Sequence, residues 1–202
     1  GDVLGFSLDN PIHSGVIVYR TSADGDLLYW TQDNGRPMYL NLATVSTLAP
    51  FTEDMLFAAK MPPLVPPIVS YSSDATKNYN NVHNRYFRFA YRWVYLSLEK
   101  STFSPVSIVP IPPVVTNPEA NVAPNVNNFI QVYVNSGSTE DFTDIEIFAQ
   151  EFNGTTWGDF LLVQSINKDD VGAIPFTYTF PFYNDGIYPS IAPGESDLRF
   201  DY

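Results

Sequence analysis

The chain of 202 residues contains no cysteine. That excludes disulfide staples, thiolate zinc sites and a cysteine nucleophile, so stability has to come from packing or assembly. Histidine is nearly absent too. His13 and His83 stand far apart in sequence and form no HxH, HxxxH or HExxH spacing. Structural or surface roles are expected of both, since a zinc site built on them would need carboxylates from elsewhere. A Ser-His-Asp triad would draw on the same two histidines, and there is no GxSxG elbow. Gly-rich phosphate loops are missing as well. No apolar run approaches the ~18 residues of a membrane-spanning helix. The opening Gly1-Asp2-Val3-Leu4-Gly5 has neither an initiator Met nor a basic, apolar signal layout, and reads as an internal start.

Cations are scarce in the second half. Up to Lys100 there are 8 Lys/Arg against 9 Asp/Glu; beyond it only Lys168 and Arg199 face 13 acidic residues. A surface this acidic repels phosphates, so wrapping nucleic acid for affinity is not expected. Simple solubility explains the excess; a surface past which DNA moves without sticking explains it more sharply.

What the chain has is apolar and aromatic material: 45% hydrophobic and 15% aromatic residues, with 17 Pro and 11 Gly. This composition favours strands and turns over helices, and supplies enough burial for a globular chain. Residues 14–42 read as three short strands. Val16-Ile17-Val18-Tyr19 is a buried-type run, Leu27-Leu28-Tyr29-Trp30 the second and Met38-Tyr39-Leu40-Asn41-Leu42 the third. Three strands cannot bury both faces alone, so a larger sheet or a propeller blade is expected around them. Thr52–Lys60 is the one good helix pattern, with Thr52 as cap and Glu53 and Asp54 in the first turn. Pro62-Pro63-Leu64-Val65-Pro66-Pro67 ends it as a stiff connector.

From Arg85 to Tyr95 the odd positions Phe87, Phe89, Tyr91, Trp93 and Tyr95 are all aromatic. Period-2 alternation puts these rings on one strand face and Arg88 and Arg92 on the other. The row is expected to be core, with a sugar-stacking platform as the functional alternative; the arginines are expected to pair with acidic strands. A hairpin partner is expected at Thr102–Val109. A second connector, Pro110-Ile111-Pro112-Pro113 with Asn117–Asn128, precedes strands at Phe129–Val134, Ile145–Phe152 and Trp157–Ile166. Asn153-Gly154 marks a hairpin turn in which both residues take positive φ; with Thr155 it also forms a glycosylation sequon, better explained by the turn. Asn184-Asp185-Gly186 predicts another hairpin, between Phe176–Tyr183 and Ile187–Ile191. The whole reads as a mainly β protein: a β-sandwich, with a small N-terminal β-sheet or propeller-blade-like piece and one short helix. The expected divisions are 1–60, the sheet piece with its helix; 61–113, the connector and β-hairpin; and 114–202, the sandwich region.

Carboxylate pairs suited in principle to glycoside hydrolysis are Glu140, Asp141 and Asp144, Glu146 with Glu151, and Asp169 with Asp170. Solvated loop and strand-face charges explain them better, with Glu146 pointing to solvent between Ile145 and Ile147. Calcium held by loop carboxylates is the alternative. No catalytic, cofactor-binding or metal-binding residue is therefore expected, and no cofactor.

Three passages resemble one family in the same order. Leu28-Tyr29-Trp30-Thr31-Gln32-Asp33-Asn34-Gly35-Arg36-Pro37 with Asn41-Leu42, Arg85–Pro105 with its Phe103-Ser104-Pro105, and Phe180–Asp201 with Asn184-Asp185-Gly186-Ile187-Tyr188 are similar to segments of the tail nozzle, or muzzle, proteins of crAss-like short-tailed bacteriophages. The middle passage also looks like the last hairpin of a fibronectin type III module; its turn here, Leu96-Ser97-Leu98-Glu99, lacks the family's Asp-Gly. The resemblance implies a non-enzymatic virion component below the portal, with fibronectin type III-like and propeller-like pieces. It implies a sixfold homo-oligomer touching portal and tail proteins, with DNA passing nearby unbound and no membrane span. Family members are much longer, in keeping with an internal start. A fibronectin-like carbohydrate-binding or adhesive module of a secreted bacterial surface protein is the alternative expectation.

Overall fold

The structure is a computed structural model, described here for residues 12–18, 26–32, 37–43, 56–58, 60–95, 99–111, 124–137, 142–172 and 175–191. It is mainly β and sandwich-like, with almost no helix. The Thr52–Lys60 helix pattern lies largely outside the described residues. Among the described residues no helix is long and apolar enough to cross a membrane. The chain divides into two compact units: 1–61 with 94–101, and 62–93 with 102–202.

In the first unit, β1 (Ile12–Val18), β2 (Leu27–Gln32) and β3 (Met38–Asn41) form one antiparallel sheet in that order. One face carries a small core of Trp30, Met38, Leu40 and Leu56, with Leu28 and Phe57 against it. The Val16-Ile17-Val18 run is not buried as its composition suggests: Val16 and Ile17 are 57% and 45% exposed. The physical reason is position: among the described residues β1 is an edge strand, flanked by β2 alone. Within the same unit the Lys60 ammonium lies 3.2 Å from the Glu99 carboxylate, and the Tyr95 hydroxyl donates to the Met61 carbonyl. Burial pushes the Glu99 carboxyl from 4.5 up to about 7. Between those values the folded chain holds a proton that the unfolded chain has released, so this group's contribution to stability falls as pH rises from about 5 to about 8. Glu99→Gln is expected to flatten that slope, read as the melting midpoint of both proteins across the same pH range.

The second unit is two layers of sheet. One layer is β4-β6-β9: β4 (Ile68–Ser72), β6 (Phe129–Asn135) and β9 (Thr177–Phe182). The other is β5-β7-β8: β5 (Tyr86–Tyr95, whose last two residues fall in the first unit), β7 (Phe142–Phe152) and β8 (Leu161–Asn167). The odd-numbered ring row of β5 is core, as expected: Phe87, Phe89, Tyr91, Trp93 and Tyr95 are all buried. Phe182 of β9 meets Phe87 and Phe89 edge-on at 5.1 and 5.2 Å between centroids, and Trp93 stacks on Phe142 at 5.7 Å. The ordered pairs of rings add specific geometry to the area they bury.

The even-numbered face of β5 is buried as well, which alternation alone does not predict. Ala90, Phe103, Phe148 and Phe160 form a second core there, flanked by Val106, Leu162 and Ile191. Non-strand segments provide the cover. Thr102–Val109 is not a regular strand; it runs beside β5 with bonds from Ser104 N to Tyr91 O and Ser107 N to Phe89 O. The return bonds come from side chains: Tyr91 N donates to Ser104 Oγ and Phe89 N to Ser107 Oγ. Pro105 has no N–H to give, and the serines supply acceptors where a ladder carbonyl is missing.

Two turns differ from their sequence reading. At Asn153-Gly154 only Gly154 has positive φ, +95°. Asn153 instead accepts from Thr155 N and Thr156 N through its side chain, and Trp157 bridges back to Phe152 before β8 begins at Leu161. Asn184-Asp185-Gly186 does not close a hairpin. The chain leaves β9 there and crosses to the other layer, where Leu162 N donates to Pro189 O and Ile191 N to Phe160 O.

Candidate functional site

Three loops meet at one end of the second unit: residues 73–85, 126–128 and 183–188. Their backbone is shaped by asparagine, the residue that tolerates left-handed backbone best after glycine. Asn84, Asn127 and Asn184 have φ of 56°, 48° and 55°, one in each loop. Asn128, fully buried, plugs the centre. Its amide donates to the carbonyls of Asp74, Lys77 and Tyr79, and its oxygen accepts from Asp74 N at 2.8 Å. Asn81 and Asn184 exchange amide-to-carbonyl bonds across two of the loops. Asn128→Ala strips four backbone groups of their partner, and is expected to cost about 2–3 kcal/mol in chemical denaturation.

The polar side chains form a closed set on this frame. Asp74 accepts from Thr76 N, Thr76 Oγ1 and the Tyr183 hydroxyl, the last at 2.7 Å. Tyr79 donates to Asp185 at 2.6 Å, and the Lys77 ammonium lies over the rings of Tyr79 and Tyr183. The bonds from Thr76, then that from Tyr183, hold the Asp74 carboxyl below its ordinary range. Bonding to Tyr79 raises Lys77, and bonding to Asp185 raises Tyr79. Burial, then the bond to Asp74, takes Tyr183 up to about 12. Each of these four groups is moved away from neutrality, the opposite of what general acid–base chemistry needs.

A second polar row lies on the even face of β5 against β7. Arg92, 3% exposed, donates from Nε to Glu146 Oε2 at 2.7 Å, its guanidinium against the rings of both Phe103 and Phe148. Arg88 lies 4.3 Å from the Trp157 ring centre and donates to Gln150, whose amide donates on to Gly158 O. Arg85 grips Glu151 with two parallel bonds. Glu146 therefore does not point to solvent; it is buried because the outer face of this sheet is covered, and the arginine makes that burial tolerable.

Of the carboxylates that the sequence offered as pairs, the structure keeps Glu146 and Glu151 apart. Glu146 and Glu151 are five residues apart on one strand, roughly 16 Å, and each is held by its own arginine. Asp144 accepts from Asn167, and Asp169 and Asp170 sit in a short 3-10 turn capped by Asn167. Glu140 and Asp141 lie outside the described residues. His83 is exposed in the 73–85 loop; His13 belongs to β1, at the irregularity in its register with β2. Among the described residues no group of three or more His, Asp or Glu is arranged to hold a metal ion. The aromatic row offers no sugar platform, being core.

Sequence reading took 184–186 only as a hairpin turn and 126–128 only as the end of a connector, and did not read residues 73–85. The signal was present in Asn78, Asn80, Asn81 and Asn84, a run of turn-favouring residues between two strands. No protein-family model matches this chain, and no curated protein matches it.

Proposed function

We propose that this chain is a non-enzymatic structural piece of a bacteriophage tail, part of the nozzle below the portal, working through packing between copies. The three ordered resemblances support this reading. The geometric observation that carries it is how the cations of β5 and its approach are used: Arg85, Arg88 and Arg92 each serve an internal partner. Beyond Lys100 the sequence carries 13 acidic residues against two basic ones, and a wall of that sign would let DNA slide without the anchoring that phosphate–cation contacts give. Particle images and light scattering of the full-length protein test the reading. Rings or tubes that retain no DNA at low salt are the expected result. A monodisperse monomer that associates with no portal or tail protein overturns it.

A further inference from the structure

The turn that leads from β7 to Trp157 holds a reactive pairing that the packing of the second unit does not use. Asn153, Gly154, Thr155 and Thr156 are all exposed, so water reaches the turn. Three of its backbone amides are bonded. Asn153 N donates to Thr156 O, and Thr155 N and Thr156 N donate to the side-chain oxygen of Asn153 at 3.0 and 2.9 Å. The remaining one, Gly154 N, has no acceptor among the described residues. On the other side of the Asn153 carboxamide, Nδ2 donates to Thr156 Oγ1 at 3.3 Å.

Those bonds prepare the carboxamide for attack. The two N–H groups on its oxygen draw electron density from Cγ, and they sit where negative charge collects when a nucleophile adds to that carbon. The unbonded Gly154 amide is the nucleophile next in sequence, held close by the chain itself. Gly154 carries no side chain, and beyond its chain neighbours nothing stands within 4 Å of where one would begin. Its peptide can therefore rotate toward Asn153 without a clash. Thr156 Oγ1 touches the nitrogen that would leave and can pass a proton to it. The other described Asx-Gly pair, Asp185-Gly186, is built differently: Gly186 N donates to Tyr188 Oη at 3.2 Å and is not free.

We propose that Asn153 is a self-modification site, at which Gly154 N of the folded chain closes on Asn153 Cγ and expels ammonia. The new bond joins Gly154 N to Cγ and the Cγ–Nδ2 bond breaks. Nδ2 leaves as ammonia, carrying the proton that Gly154 N gives up. Water then opens the imide. Cleavage at Cγ leaves an aspartate; cleavage at the backbone carbonyl leaves an isoaspartate whose main chain runs through Cβ and Cγ. No oxidant or reductant is needed. Either product adds a negative charge to the half of the chain that is already acidic. The aspartate keeps acceptors for Thr155 N and Thr156 N, whereas the isoaspartate lengthens the turn that sets Trp157 opposite Phe152. None of this depends on copies of the chain assembling.

The full chain held at mildly alkaline pH tests this. Ion exchange follows the gain of negative charge, and peptide mapping by mass spectrometry fixes its position. The reference is a synthetic peptide of residues 150–158, which has the same Asn-Gly pair without the bonds of the folded turn. Modification at Asn153 is expected to run about tenfold faster in the folded chain than in the peptide. Thr156→Val keeps the backbone donor and removes the hydroxyl. It is expected to slow the folded chain about threefold and to leave the matching peptide unchanged. A folded chain that modifies Asn153 no faster than the peptide overturns the proposal. So does modification confined to other asparagines while Asn153 stays intact.

Discussion

Glu146→Ala is expected to lower the unfolding free energy of the second unit by about 3–5 kcal/mol, among the largest single-site losses in the molecule. The substitution leaves the Arg92 guanidinium against Phe103 and Phe148 with its carboxylate gone, in a place where water cannot substitute. Glu146→Gln keeps an acceptor at the same reach and is expected to lose less. The informative variant is the pair Arg92→Met with Glu146→Leu. Two apolar side chains of similar volume remove both desolvation costs at once, and the double variant is expected to lie within about 1.5 kcal/mol of the parent. Urea denaturation of the parent, Glu146→Ala, Glu146→Gln and the double variant, followed by tryptophan fluorescence, makes the comparison. A single variant as mild as the double would mean that the pair is hydrated in solution.

Phe182→Ala is expected to cost a similar amount, about 3–5 kcal/mol, for a different reason. Its ring is the point where the two layers meet, edge-on to Phe87 and Phe89 and 5.9 Å from the ring of Tyr188. Removing it opens a cavity bounded by two rings of β5 and the ring of Tyr188, which cannot collapse without moving the sheets. Ile108→Ala is the matched control: Ile108 is 75% exposed, and its loss is expected to stay within about 0.5 kcal/mol. Comparable losses in the two variants would argue that the layers do not pack through Phe182.

Where sequence reasoning worked, a single local signal was strong enough to decide. Alternating rings from Phe87 to Tyr95 fixed a strand and its buried face, because no helix collects those positions on one side. It stopped working where the deciding partner is remote in the chain. Glu146 looks solvent-facing beside Ile145 and Ile147, and only the fold shows Phe103, Phe148 and Phe160 closing over that side of the sheet. Asn184-Asp185-Gly186 has the composition of a hairpin turn, yet β9 finds its partner in β6 and the following segment finds β8. β4 went unread because Ile68-Val69-Ser70-Tyr71-Ser72 is short, half polar and set directly behind a proline run. The loop end went unread as a unit for the same kind of reason. Asn128 gains its importance from carbonyls about fifty residues upstream, which no local pattern announces.

The serine rail beside β5 has a further consequence for how the protein behaves when crowded. A sheet margin with regularly spaced N–H and C=O groups is a template on which stray strands add, the first step toward fibrils. Here that margin is occupied by a segment whose spacing is broken by Pro105 and whose acceptors at Ser104 and Ser107 are hydroxyls. An incoming strand would meet no matching row of partners on that side. A chain this rich in β-forming residues can thus be packed at high density while that border stays closed to uncontrolled growth.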